Sequence, residues 1–288
     1  MDDSDRDEKI LTQAEKIIVT PGIPPHHQLY QHYTNKIRGE LDTISEFLEE
    51  KGIAQNFKRI GITGTDGKST VTRILTKIFE AIEPKKNIRM TGNSDISLGE
   101  TMEKIFSNHK ENEKHIMVIE CSSFMLYNLK KLNFDYSIRT NISMDHLNRH
   151  DSMEDYINAK VNLFRHTTKH KRTTPEVYEL LPLPVKDHTS IYLSEYDLSR
   201  THFVGKHNAA NIQGSSELIK TYITEYHLKI SDQEISRIIS TINPLHGRIE
   251  LIATIGDIMV YDDGKSTTSN SLRAALETFT EKITLIAG

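Results

Sequence analysis

The chain has 288 residues and a formal net charge of −4, with 36% apolar and 26% charged residues. That length holds one large or two medium domains, the composition gives ordinary core-forming capacity, and the weakly acidic balance supplies no field to draw nucleic acid. The single cysteine, Cys121, excludes an intramolecular disulfide and fits a reducing cytosol, and no apolar run is long enough to span a bilayer.

Residues 1–9 are acidic and lack an apolar stretch, so they read as a solvated tail and not a signal peptide. Lys16 to Thr20 predicts a short strand, stopped by Pro21-Gly22-Ile23-Pro24-Pro25. Two short helical stretches are expected before residue 56, too little to bury a core alone. From Phe57 the pattern changes. Strands are predicted over Phe57 to Thr63, Lys86 to Met90, His115 to Glu120 and Phe134 to Asn141. They alternate with helices over Lys68 to Ile82, Leu98 to Lys110 and Met153 to Phe164. Such alternation gives a parallel sheet with helices on both faces, and ligands bind beyond the carboxyl ends of its strands.

The run Thr167 to Pro175 is basic and reads as a solvated loop, whereas Thr189 to Leu193 reads as a strand. Helices follow from Gly205 to Tyr226 and from Ser231, where Ser231 and Glu234 have capping-box spacing. Arg248 to Thr254 and Ile258 to Tyr261 flank Ile255-Gly256-Asp257 as a hairpin. Ser266 to Thr280 is helical, and Ile283 to Gly288 reads as a buried strand.

Chemistry concentrates just after the strands. Gly61-Ile62-Thr63-Gly64-Thr65-Asp66-Gly67-Lys68-Ser69-Thr70 joins a strand to a helix through glycines. A helix N-terminus presents unpaired N–H groups to an anion, and glycines let the backbone approach it. Lys68 adds a point charge, and the Ser69 hydroxyl can ligate Mg²⁺. The generic phosphate loop has glycine where this chain has Ile62, so a tight turn with an exposed lysine is the plain alternative. Glu120 ends an apolar strand, either as a solvated charge or as a carboxylate reaching a metal held at Ser69. Asn141 to His150 packs Asp145, His146, Arg149 and His150 onto one loop, as surface decoration or as metal ligands. Lys160, on the next helix, reads by itself as a solvated charge.

Together these motifs resemble the Mur ligases, whose ATP loop takes this variant of the phosphate loop. Glu120-Cys121-Ser122-Ser123-Phe124, the run Asn141 to Lys160, Thr20-Pro21-Gly22-Ile23-Pro24, His207-Asn208 with Asn211, and Arg248-Ile249-Glu250 are similar to the branch that adds D-glutamate. The related folylpolyglutamate synthases fit less well. Gly92-Asn93-Ser94-Asp95 lacks the second glycine of the Gly-Asn-x-Gly element of the Mur ligases, and Gly247 stands where the D-glutamate branch usually has histidine.

The resemblance implies an α/β fold: a central, mostly parallel sheet of phosphate-loop type with helices on both faces. It also implies a partial N-terminal segment at 1–56, a central ATP-binding domain at 57–245 and the beginning of a Rossmann-like C-terminal domain at 246–288, with both ends shorter than in complete members. The implied reaction is cytoplasmic amide-bond formation in peptidoglycan precursor synthesis, from ATP, UDP-N-acetylmuramoyl-L-alanine and D-glutamate, by a monomer. Gly64, Thr65, Asp66, Gly67, Lys68, Ser69 and Thr70 then hold the phosphates, with Asn93 nearby. Ser69 and Glu120 hold one Mg²⁺, and His146 and Lys160 a second, after carbamylation of the lysine. Lys68, His146 and Lys160 are the catalytic set. Asn208, Asn211, Arg248 and Asp263 contact ATP.

Overall fold

The strand His115–Glu120 is buried at every position, as an unbroken apolar run requires of a strand covered on both faces. The computed structural model describes residues 9–24, 26–107, 113–147, 149–193, 195–266 and 269–287. The strand lies inside a six-stranded parallel sheet.

In chain order, β1 (Ile17–Ile18) pairs with β2 (Ile37–Arg38) as a small separate sheet, with α1 (Gln28–Tyr33) between them and α2 (Glu40–Glu50) after. The main sheet takes β3 (Phe57–Thr63), β4 (Asn87–Gly92), β5 (His115–Glu120), β6 (Phe134–Arg139), β7 (Thr167–Thr173) and β8 (Thr189–Ile191), in the spatial order β4-β5-β3-β6-β7-β8. The connecting helices are α3 (Lys68–Ile82), α4 (Leu98–Ser107), α5 (Ser123–Tyr127), α6 (Met153–Arg165), α7 (Pro175–Glu179) and α8 (Leu183–Lys186). Then come α9 (Lys206–Glu225), α10 (Asp232–Ser240), the hairpin β9 (Glu250–Ile255) and β10 (Ile258–Asp262), and α11 (Ser269–Leu276). The hairpin turns at Gly256, whose φ of 61° lies in the left-handed region that glycine tolerates.

Alternation along the strands gives each face its own core. Ile60, Ile62, Val118 and Ile138 pack with Ile74, Ile78 and Phe79 of α3, Leu218 and Tyr222 of α9, and Ile235 and Ile239 of α10. Phe57, Met117, Ile119 and Phe134 face the other way. They meet Leu41 and Leu48 of α2, Leu98 and Met102 of α4, Leu126 of α5, and Leu163 and Phe164 of α6. Asp42 locks α2 to this face by accepting from the amides of Lys130, Lys131 and Leu132 at 2.8, 2.9 and 3.1 Å. At Gly61 a Cβ would stand 2.4 Å from Leu163 Cδ1, so the glycine lets α6 lie directly on the sheet.

Two expectations are corrected. The basic run from Thr167 is not a solvated loop: its residues 167–173 form β7, paired with β6 and β8. Two of its charges are matched by α9, with Lys169 on Glu225 and Arg172 on Glu217. The buried strand expected from Ile283 is absent: residues 283–287 are exposed and form no strand, because no described strand lies beside them to pair. The expected tail over residues 1–8, the end of the helix toward Lys110, and Pro25, Asn148, Thr267, Thr268 and Gly288 lie outside the described residues.

Candidate active site

The central strands β3, β5 and β6 end together. Ile62 is level with Glu120, and Thr63 with Arg139. The loop leaving β3 is pressed onto residues 140–141: Gly64 has φ 152°, and a Cβ there would stand 1.9 Å from Thr140 Oγ1. Asn141 Oδ1 accepts from the amides of Thr65 and Asp66 at 3.1 and 2.9 Å, and its Nδ2 donates to Asp66 O at 3.1 Å. Thr140 Oγ1 donates to the same carbonyl at 2.6 Å. The loop is thus shaped from outside, and its curl delivers α3 with Gly67 at φ 80° and no side chain capping the helix. Those uncapped N–H groups suit a phosphate.

Lys68 Nζ donates back to Thr65 O at 2.7 Å. Burial lowers its pKa, with Glu120 and Asp66 opposing that shift. Burial likewise raises the Asp66 carboxyl, which Lys68 partly offsets. Ser69 Oγ accepts from Arg248 Nη2 at 3.2 Å, tying the segment after α10 to the loop. Thr70 is buried in the first turn of α3. Glu120 is buried: Oε1 accepts from Asn93 Nδ2 at 3.2 Å, while Oε2 has no partner among the described residues. A carboxylate oxygen orphaned at the strand end level with the start of a phosphate-shaped loop fits a Mg²⁺ donor set.

Lys160 is not a solvated charge. It is 1% exposed, its Nζ donates to Gly64 O at 2.6 Å, and it lies 4.6 Å from the Tyr156 ring centroid. Burial drives its pKa well below the ordinary lysine value, and Lys68 and Arg139 push the same way. His146 is half-exposed, with φ 53°, Nε2 3.3 Å from Asp145 Oδ2 and its ring 4.9 Å from that of Phe124. Burial lowers its pKa, Asp145 opposes that shift and the Lys160 charge adds to it. Asn211 sits against Gly67, where a Cβ would stand 2.7 Å from Asn211 Oδ1, and Asn211 reaches Asn208 at 3.4 Å. Both Asp263 oxygens are engaged within their own segment, by Ile249 N at 3.1 Å and by the Ser266 hydroxyl.

Sequence reasoning overlooked Thr140 and Tyr156 as loop-holding groups. Tyr156 OH lies 3.0 Å from Thr65 Oγ1. Asn141 stood in a quoted motif without a role; its position just after a strand was the available signal. Beside the loop, Arg149 donates to Gly22 O and Ile23 O at 2.8 and 2.6 Å, so the Pro-Gly-Ile turn is held by Arg149. His150 bridges Asp155 and Ser123, each at 2.9 Å.

Residues 62–177 match the family described as the Mur ligase middle domain. Among curated relatives, the UDP-N-acetylmuramoylalanine--D-glutamate ligase of Aquifex aeolicus is 30% identical, covering 100% of this chain and 69% of that protein. Those of Lawsonia intracellularis and Bdellovibrio bacteriovorus are 27% and 25% identical, each over 97% of this chain and over 60% and 65% of their own lengths. The chain therefore spans about two thirds of the relatives it matches. Among solved structures, MurF ligase from Thermotoga maritima in complex with ADP superposes with TM-score 0.60 at 13% identity, covering 93% of this chain and 73% of that one. MurF from Acinetobacter baumannii gives TM-score 0.60 at 15% identity, over 83% and 57%. At those identities the structures bear on the fold alone.

Proposed function

Because the chain belongs to the Mur ligase family, we propose that it is built for ATP-dependent addition of D-glutamate to UDP-N-acetylmuramoyl-L-alanine. The γ-phosphoryl group passes to the terminal carboxylate of the UDP-linked substrate. The amine of D-glutamate attacks the acyl phosphate, and phosphate leaves from the tetrahedral intermediate. A carboxylate is a poor electrophile until phosphorylated, and two anions must meet for that to happen.

Residues 64–70 cradle the phosphates in this reading, with Lys68 as the counter-charge and Asn93 beside them. Ser69 and Glu120 hold one Mg²⁺, and His146 and the carbamylated Lys160 a second. Such an ion neutralises phosphate charge as the two anions approach. Asn208, Asn211, Arg248 and Asp263 line the nucleotide side. The reaction is cytoplasmic, and the chain works as a monomer. The observation that carries the reading is the buried Glu120 oxygen left without a partner among the described residues, at the strand end level with the start of the phosphate-type loop.

A second reading is nucleotide binding without ligase turnover. Phosphate release in the presence of ATP and Mg²⁺ separates the two. Release that requires both UDP-N-acetylmuramoyl-L-alanine and D-glutamate is the expected result. Tight ATP binding with no such requirement would sink the ligase reading and leave the second.

A further inference from the structure

Arg139 is the largest of the fully buried side chains among the described residues. All three of its guanidinium nitrogens are shielded from solvent and lack a hydrogen-bond partner among those residues. A guanidinium offers five N–H donors in a planar fork, and burying it unpaired is costly. Burial depresses its pKa to about 10, and among the described residues only Tyr156 opposes this and no carboxylate bears on it.

Strand register fixes where this side chain points. Ile138 enters the core beneath α3, so Arg139 faces the opposite side, the side of α6. There the Ser137 hydroxyl, two residues earlier, lies 2.8 Å from Thr167 Oγ1, which in turn reaches Leu163 O of α6 at 2.7 Å. Along the sheet Arg139 sits level with Thr63. Lys160 Nζ comes down from α6 onto the carbonyl of the next residue, Gly64. Two basic side chains, 0% and 1% exposed, thus lie on one side of the sheet near its strand ends, Lys160 4.6 Å from the Tyr156 ring and Arg139 close enough to act on the charge of Lys160.

We infer that Arg139 is a positioning residue whose guanidinium pairs with a carbamate built on Lys160. This rests on the proposed carbamate and adds the group that holds it. Both side chains are shielded from solvent, and CO₂ is small and uncharged. The Nζ lone pair forms an N–C bond to CO₂, one C=O π bond opens onto oxygen, and a proton leaves Nζ for water. The product is a planar carboxylate at the end of the lysine, the shape that a guanidinium fork pairs with two parallel hydrogen bonds. The anion arises inside the protein, so Arg139 has no need of a path to solvent.

The test is ¹³C NMR of the full chain in ¹³C-bicarbonate, reading the carbamate carbon in wild type, Arg139→Met, Arg139→Lys and Lys160→Ala, with thermal unfolding as the folding control. Wild type is expected to give a signal that Lys160→Ala removes. Arg139→Met should need about tenfold more bicarbonate for the same occupancy, the equivalent of one lost charge-assisted bond. Arg139→Lys should recover part of it, and it carries the test if the methionine variant does not fold. A wild-type signal that Arg139→Met and Arg139→Lys leave unchanged overturns the role of Arg139 while keeping the carbamate. A wild type with no signal, even in saturating bicarbonate, overturns both.

Discussion

Toward α3, α9 and α10 the sheet buries Ile60, Ile62, Val118 and Ile138 against Ile74, Ile78, Phe79 and Leu218, all apolar. Toward α2, α4, α5 and α6 it begins in the same way, with Phe57, Met117 and Phe134 against Leu98, Leu126 and Phe164. Near the strand ends this second face changes, and its buried side chains become Arg139, Tyr156 and Lys160. The first face is what hydrophobic burial alone would select. The second opposes folding at its outer end, since buried cations without carboxylate partners cost free energy. One face therefore carries stability and the other carries chemistry, and a substitution on each should separate the two.

The largest contrast is between Lys160→Met and Phe79→Ala. Lys160→Met keeps the volume and removes a buried amine. Phosphate release should fall by at least about a hundredfold, the scale of losing one electrostatic group at a reacting centre, while Tm measured without added bicarbonate stays level or rises. Phe79→Ala should cost about 3–5 kcal/mol of stability, seen as a lower Tm, with nucleotide affinity unchanged in the folded fraction. If Lys160→Met unfolded the protein and left turnover intact, the division between the faces would be lost.

Gly61→Ala sharpens the same comparison from the joint between sheet and helix. The new methyl would press on Leu163 and Phe134, and such overpacking costs about 1–3 kcal/mol. Gly61 faces α6, the helix that carries Lys160, so turnover should fall by more than the stability loss explains. Steady-state kinetics at a temperature where the variant is fully folded, set beside its Tm, checks this. A Tm change with unchanged kinetics would show that the position of α6 is not critical.

How much of this was legible in the sequence follows the same divide. Apolar runs marked β3, β5 and β6, and 3.6-residue spacing marked α3 and α6. The charged strand β7 was hidden because Lys169 and Arg172 find acids on α9 some fifty positions away, a pairing no local pattern contains. Ile283 to Ala287 failed in the opposite sense: an apolar run predicts a strand only where a neighbour exists to bond it. Within the site, Lys68 and Ser69 were readable from glycine spacing, and Lys160 only through family resemblance. Arg139 read as an ordinary strand residue. Being orphaned is a property of three-dimensional surroundings, so nothing in the letters around position 139 could have raised it.

The smallest effect lies at the rim of the second face, where α2 meets the sheet. Glu46 takes Lys131 at 2.5 Å, Lys16 at 2.8 Å and Arg38 at 3.0 Å. Hydrogen bonds from Lys131, then Lys16, hold its carboxyl down at about 2, against an ordinary value of 4.5. A depressed folded-state pKa means that the stabilisation is complete above about pH 4.5 and is lost as pH falls toward 2. Two of the three partners are long lysines open to solvent, so the contribution is roughly 1 kcal/mol or less. Glu46→Gln should therefore lower Tm slightly at pH 7, and the gap to wild type should narrow as both are titrated below pH 4.5. A gap that stays constant with pH would mean that the glutamate holds α2 through shape and neutral hydrogen bonds. Paired charges at the rim would then contribute no more than they do elsewhere on the surface, leaving the buried, unpaired charges at the strand ends as the feature that distinguishes this face.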